Sequence, residues 1–242
     1  MSNSPHQFNR LLASLAPAEM SALQPHLKVV DLPQETVLFE IGDRVDRVYF
    51  PHSGIVSLVV GLASGEMVEA AMIGRESLVG AAAALNGRMS MNKAIVQIAG
   101  AASTLDADRL RALAHQDIAF RTTLIEHEEL ILAQAQQAAA CNAVHTVEAR
   151  LARWLLRCRD LTGSDDLPLT QEFLAEMLAV RRTSVSLVAN TLQKAGLLRY
   201  RRGHIRILDV EGLRECTCEC YQTIRAHAGR LLASTAPLDI AN

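Results

Sequence analysis

The sequence predicts an α+β protein in three parts: an N-terminal β-roll of the double-stranded, jelly-roll-like kind, a long helix suited to pairing with its own copy, and a C-terminal winged helix-turn-helix. Three observations carry this reading. Short segments rich in Val, Ile and aromatic residues recur between turn signals from Val29 to Ile73. From Ile118 to about Leu161 the chain holds neither proline nor glycine. The stretch LTQEFLAEMLAVRRTSVSLVANTLQKAGLL, Leu169 to Leu198, reads as two short helices joined by a tight turn. The corresponding divisions are 1–117, 118–163 and 164–242.

A chain of 242 residues that is 50% hydrophobic and 21% charged can build two modest domains with real cores. No basic segment followed by an apolar run opens it, and no stretch approaches the ~20 apolar residues a membrane span needs, so no membrane role and a cytoplasmic location are expected. The five cysteines, Cys141, Cys158, Cys216, Cys218 and Cys220, are an odd set. Reduced thiols rather than a disulfide framework are expected of them. With no phosphate loop, no nucleophile elbow and no His-Glu-x-x-His helix, no catalytic residue is assigned and no enzyme is expected.

Residues 7 to 27 form a short helical opening. Pro33-Gln34, Gly42-Asp43, Pro51 to Gly54 and Ser64-Gly65 then punctuate strands at Thr36 to Glu40, Arg47 to Phe50, Ile55 to Val60 and Met67 to Met72, the spacing of a sandwich or rolled barrel. Ser77 to Leu85 is an alanine-rich helical turn. Ala94 to Ala99 returns to strand, and a helix from Asp106 to His115 ends the roll. The run that follows is one long helix, broken at most once. It is too long to bury its apolar side on one small domain, so pairing with the same helix of a second subunit is the natural solution, with Ala133, Ala135, Ala138 to Ala140 and Ala143 allowing close approach. Packing of its first turns across its own roll is the alternative. Thr162 to Asp166 links it to the last part.

In the helix pair, Ala175 supplies the small side chain that two crossing helices need, and Val185 and Val188 hold them together. Thr170 can cap the first helix, with Glu172 favouring its dipole. The second helix starts near Arg182 and buries Val185, Val188, Ala189 and Leu192, spaced i, i+3, i+4, i+7. Thr183, Ser186, Leu187, Asn190 and Lys194 must then point outward, offering hydroxyl, methyl, amide and cationic groups suited to base edges in a major groove. Ala179 occupies the turn position where glycine is usual. The segment Arg199 to Leu208 alternates on either side of Arg202-Gly203 and predicts a hairpin wing. Between 181 and 206 there are seven Lys or Arg and no acid, although the whole chain has a formal net charge of -2. Phosphate neutralisation requires only such a local patch. The candidate DNA contacts are therefore Thr170, Arg181, Arg182, Thr183, Ser186, Leu187, Asn190, Lys194, Arg199, Arg201, Arg202 and His204. A helical hairpin in an ordinary core and a solvated charge run are the plainer alternatives.

The order of parts, the turn GRES at Gly74 to Ser77, RLARWLL at Arg150 to Leu156 and the helix pair itself make the chain similar to the Crp/Fnr superfamily. That resemblance implies homodimeric transcription regulators whose roll senses an effector, whose paired second helices bind a near-palindromic operator, and which act on RNA polymerase. The superfamily's R-E-T-V-x-R signature matches unevenly, with Thr183 in place of the glutamate and Leu187 in place of the last arginine, so the half-site should differ. Cyclic-nucleotide-binding members carry a Gly-Glu for the ribose and an Arg-Ser pair for the phosphate. Here Asn92-Lys93 stands at that pair, and Gly74, Arg75, Glu76 and Arg88 are the candidate effector-pocket residues, with the effector unknown. A diffuse cation is no substitute for a bidentate phosphate clamp, so cyclic nucleotides are not expected to bind. No cysteine precedes Cys141, which argues against the iron–sulfur mechanism of oxygen-sensing members. Cys216, Cys218 and Cys220 could ligate zinc, as could Cys141 and His145 paired with their dimer copies, but packing roles are expected, and neither metal nor cofactor is assigned. A ligand-binding or adaptor protein with a vestigial helix-turn-helix is the rival function. The acid-free basic wing argues against it.

Overall fold

The computed structural model describes residues 5–63, 65–85 and 89–234. Two short helices open it, α1 (Arg10–Ser14) and α2 (Pro17–Leu23), the first capped by Asn9, whose side chain accepts from Leu12 N. Seven strands follow: β1 (Lys28–Leu32), β2 (Val37–Phe39), β3 (Arg47–Pro51), β4 (Ile55–Gly61), β5 (Met67–Ile73), β6 (Lys93–Ile98) and β7 (Gly100–Asp106), with helix α3 (Ala81–Leu85) between β5 and β6. They form two antiparallel sheets in the orders β1-β7-β3 and β2-β6-β4-β5. The corner joining them is tight. A Cβ on Gly100 would lie 2.2 Å from Ser53 O, and Gly54 takes φ +77° with Ile98 O at 2.4 Å from its would-be Cβ, so both positions need glycine.

The four strands expected up to Ile73 are present within a residue at each end. β1 and β7 were not foreseen. The first half of β7, Gly-Ala-Ala-Ser, has little intrinsic strand preference. It is a strand because β1 pairs with one edge, Asp31 opposite Ala101, and β3 with the other, Val48 opposite Leu105. Helix α4 (Ala107–Gln116) and the first turns of α5 (Ile118–Val144) close the roll, packing Leu110, Phe120 and Leu124 on Val48, Phe50 and Leu105.

The long run is broken at His145, which takes φ -99° and ψ 151°. Thr146 then caps α6 (Val147–Thr162), its hydroxyl accepting from Ala149 N. Helix α5 also buries one face along its whole length in its own chain, from Phe120 to Cys141, and not in its first turns alone. α6 is buried on nearly every side from Arg150 to Cys158 and ends at Gly163 in the left-handed conformation. Its Trp154, Leu155 and Leu156 sit in a second core shared by Ile55, Val59 and Met72 of the roll and by Leu174, Val185 and Ile205 further on.

The C-terminal elements are β8 (Asp166–Leu167), α7 (Gln171–Met177), α8 (Arg182–Lys194), β9 (Leu198–Arg201), β10 (His204–Ile207), α9 (Val210–Glu215) and α10 (Cys220–Ser234). The strands form a small antiparallel sheet, β8-β10-β9. α10 returns along α5. Among the described residues, no helix is long and apolar enough to cross a membrane.

Candidate nucleic-acid interface

The candidate surface is built by burying everything else. In α8, Val185, Ala189 and Leu192 are buried and Val188 half-buried against α7, where Leu174 and Ala175 face them. Thr170 caps α7, its hydroxyl oxygen accepting from Phe173 N at 3.2 Å. The turn between the helices closes at Ala179, which adopts φ +50°, the left-handed conformation usually given to glycine.

The opposite face of α8 is open. Arg182, Thr183, Leu187, Asn190 and Lys194 are exposed, and Leu187 keeps 70% of its surface in solvent. Ser186 is half-buried, and its hydroxyl donates to Gln171 Oε1 at 2.6 Å, fastening α8 to α7 at the edge of this face. Arg181 precedes the first turn of α8 without a side-chain cap, so the helix opens with free N–H groups beside two guanidiniums.

The wing is a two-residue hairpin. Arg202 and Gly203 both take positive φ, 49° and 80°, as a type I′ turn requires, and Arg201 pairs with His204. Ile205 and Ile207 point inward while Arg199, Arg201, Arg202, His204 and Arg206 are exposed. His204 Nδ1 lies 3.3 Å from Asp166 Oδ1 on β8. All seven cations from Arg181 to Arg206 are exposed, and all belong to one module.

The effector loop is placed differently from an open pocket. A Cβ on Gly74 would lie 2.9 Å from Leu161 Cδ2, so α6 rests directly on this glycine. Glu76 is buried and its Oε1 accepts from Arg157 Nη2 of α6 at 2.7 Å. Arg75 is half-buried at the mouth of a cleft that Arg10, Arg157 and Arg225 also line. Arg88 lies outside the described residues. Ser77 and Leu78, next in the loop, are held by His127 of α5. Lys93, at the position of the phosphate-binding pair, instead meets Glu40 at 2.9 Å.

Sequence reasoning did not find a second polar contact across this seam. Glu69 of β5 is buried, accepting from Trp154 Nε1 of α6 at 2.9 Å and lying 2.6 Å from Ser57 Oγ. Burial pushes its carboxyl up to about 7, against the opposing pull of its Ser57 contact and Arg153. Alternation along β5 places Glu69 on a strand face, but nothing local says that a tryptophan 85 residues away will meet it. Nor did the sequence foresee that Cys141 and His145 of α5 would lie beside Cys218 and Cys220 of their own chain.

A sensor-type roll fastened through one buried helix to a winged helix-turn-helix defines a two-part regulator. Residues 29–117 match the cyclic nucleotide-binding domain and residues 149–216 the Crp-like helix-turn-helix domain, together more than half of the chain. The chain belongs to the Crp/Fnr family of transcriptional regulators. No curated protein matches it in sequence. Among solved structures it is similar to FixK2 from Bradyrhizobium japonicum, with 17% identity and a TM-score of 0.68 over 79% of this chain and 98% of that one. It is also similar to the c-di-GMP responsive global regulator CLP of Xanthomonas campestris, with 18% identity and a TM-score of 0.65 over 79% and 99%. A third is a Crp/Fnr-family regulator from Thermus thermophilus, with 22% identity and a TM-score of 0.62 over 78% and 97%. At these identities the likeness is one of fold.

Proposed function

We propose that the protein is a homodimeric, DNA-binding transcription regulator that lays α8 in the major groove of each half of a near-palindromic operator and rests its wing on the flanking phosphates. The observation that carries this reading is the continuous exposed surface of α8 and the wing, with seven cations and no acid from Arg181 to Arg206 in a chain of net charge -2. A surface serving only protein contacts has no need of that charge, whereas counterion release from phosphates requires it. Thr183, Leu187 and Asn190 are the base-facing side chains, and Leu187 suits a thymine methyl. Thr170, Arg199, Arg201, Arg202 and His204 serve the backbone.

The dimer reading is supported by α5. Its Ile118, Thr122, Ile125, Glu129, Leu132, Gln136, Ala139 and Ala143 are all exposed and fall at alternating steps of four and three, the spacing of a coiled-coil seam. Because the opposite face is already buried in its own chain, the exposed Ile118, Ile125, Leu132, Ala139 and Ala143 of this mixed stripe need a partner, and a two-fold copy supplies one. The effector remains unassigned. Glu76 is held by Arg157 and Lys93 by Glu40, so neither of these two groups is free to hold a cyclic nucleotide.

The reading is tested by selecting binding sites from random duplexes with the purified protein. A two-fold symmetric site with half-site centres ~34 Å apart is expected. Recovery of a single asymmetric half-site, or of no site, overturns it.

A further inference from the structure

Four side chains away from the DNA-facing surface meet at the far end of α5. Cys141 lies in its last turn, His145 caps it, Cys218 stands in the link from α9 to α10, and Cys220 opens α10. The three cysteines are buried, the histidine is half-buried, and the four potential ligand atoms all lie within 4.8 Å of one another. Cys141 Sγ is 3.5 Å from Cys218 Sγ, and Cys220 Sγ is 3.6 Å from His145 Nδ1. Zinc bonds of about 2.3 Å to sulfur and about 2.0 Å to nitrogen, at tetrahedral angles, set ligand sulfurs about 3.8 Å apart and sulfur and nitrogen about 3.5 Å apart. We propose that Cys141, His145, Cys218 and Cys220 form a mononuclear, tetrahedral Cys3His zinc site.

The surroundings fit a bound ion. His145 Nε2 lies 3.3 Å from Glu219 Oε1, so a proton held there leaves the Nδ1 lone pair facing the sulfurs. Gln137 Nε2 donates to Cys220 Sγ at 3.0 Å, a bond that a thiolate accepts better than a thiol. The cysteines also form a patch of their own, backed by Ala149 and separate from the two large cores. A cluster of several irons would need its ligands spread further than a single ion does. A Cys141–Cys218 disulfide would leave Cys220, His145 and their donors without a shared partner. Whether or not α8 binds DNA, the ion would staple the end of α5 to α10 beside the His145–Thr146 break from which α6 departs.

The test is the metal content of the full chain purified under reducing conditions, followed by replacement of the metal with cobalt(II). One zinc per chain is expected, and the cobalt form should show the intense ligand-field bands of a tetrahedral site together with thiolate-to-cobalt charge transfer. Cys218→Ser should abolish these bands, His145→Cys should keep them with a shifted envelope, and Cys216→Ser, one step outside the set, should leave them unchanged. Folding of each variant is checked by circular dichroism. Folded wild type that holds no stoichiometric zinc and gives no cobalt–thiolate absorption overturns the proposal. So does loss of the bands in Cys216→Ser.

Discussion

Ala179 and Glu69 show how single residues carry tension in this chain. An L-residue in the left-handed region costs about 1 kcal/mol that glycine does not incur, and a Cβ is the cause. Ala179→Gly is therefore expected to raise stability by about 0.5–1 kcal/mol, read as a higher urea midpoint at unchanged slope. A lower midpoint would mean that the alanine methyl contributes more by packing than it costs in backbone strain. Glu69 has a different problem. Ser57 has one hydroxyl proton for two acceptors, Glu69 Oε2 at 2.6 Å and Gln97 Oε1 at 2.8 Å, and a protonated Glu69 carboxyl supplies the missing donor. Its folded pKa, up from 4.5 to about 7, means that between those values the folded chain holds a proton that the unfolded chain releases. Stability from this group is thus complete below about pH 4.5 and declines as pH rises through 7, by an amount on the order of 3 kcal/mol. Glu69→Gln, which stays neutral, should be insensitive over that range relative to wild type. Parallel stability–pH curves for the two proteins would refute the assignment.

At the scale of elements, α8 and the wing divide one task. Arg182 stands in the first turn of α8, which the proposed reading sets against base edges, whereas Arg202 forms the tip of the wing at φ +49°. Arg202→Gly removes a charge while suiting the backbone, so any loss of affinity reports the charge and not the turn. The expected result is uniform weakening on all duplexes and a salt slope smaller by roughly one per subunit. Arg182→Ala should instead cost ~1–3 kcal/mol per half-site and relax preference at one base pair. Site selection and salt titration with each variant distinguish them, and a changed consensus with Arg202→Gly would remove the wing from the role given to it.

For the whole molecule, the question is how a roll, a long helix and a winged module behave as one body. The ion pair of Glu76 with Arg157 and the contact of Glu69 with Trp154 tie the roll to α6, and α6 lies within the core of the DNA-facing module. Breaking a buried pair is strongly unfavourable because the remaining charge has no water. The roll's loop and the module that carries α8 are therefore joined through one helix. Dimerisation belongs to the same scale. Leu132 is 57% exposed at the middle of the α5 seam. Leu132→Glu removes about 2 kcal/mol of apolar burial from each copy and should weaken association by roughly a thousandfold. If the proposed dimer forms through this face, sedimentation should then show a monomer at concentrations where wild type associates. Unchanged association would place the two-fold axis elsewhere.

Much of this was legible locally. Helix periodicity placed α8 within a residue, alternation around Arg202-Gly203 placed the wing, and the lack of acids from 181 to 206 marked one charged surface, because each is a property of neighbours along the chain. β1, an edge strand, and β7, which needs a partner on both edges, were not legible, since their pairing comes from segments up to about 75 residues away. The engagement of Glu76 by Arg157, the raised pKa of Glu69, and the meeting of Cys141 and His145 with Cys218 and Cys220 were not legible either. The sequence by itself determined which faces are apolar, which are charged and where helices start, through propensity and period. Only the tertiary structure decided which buried polar groups share a site, because desolvation and ligand geometry arise where distant segments close on one another.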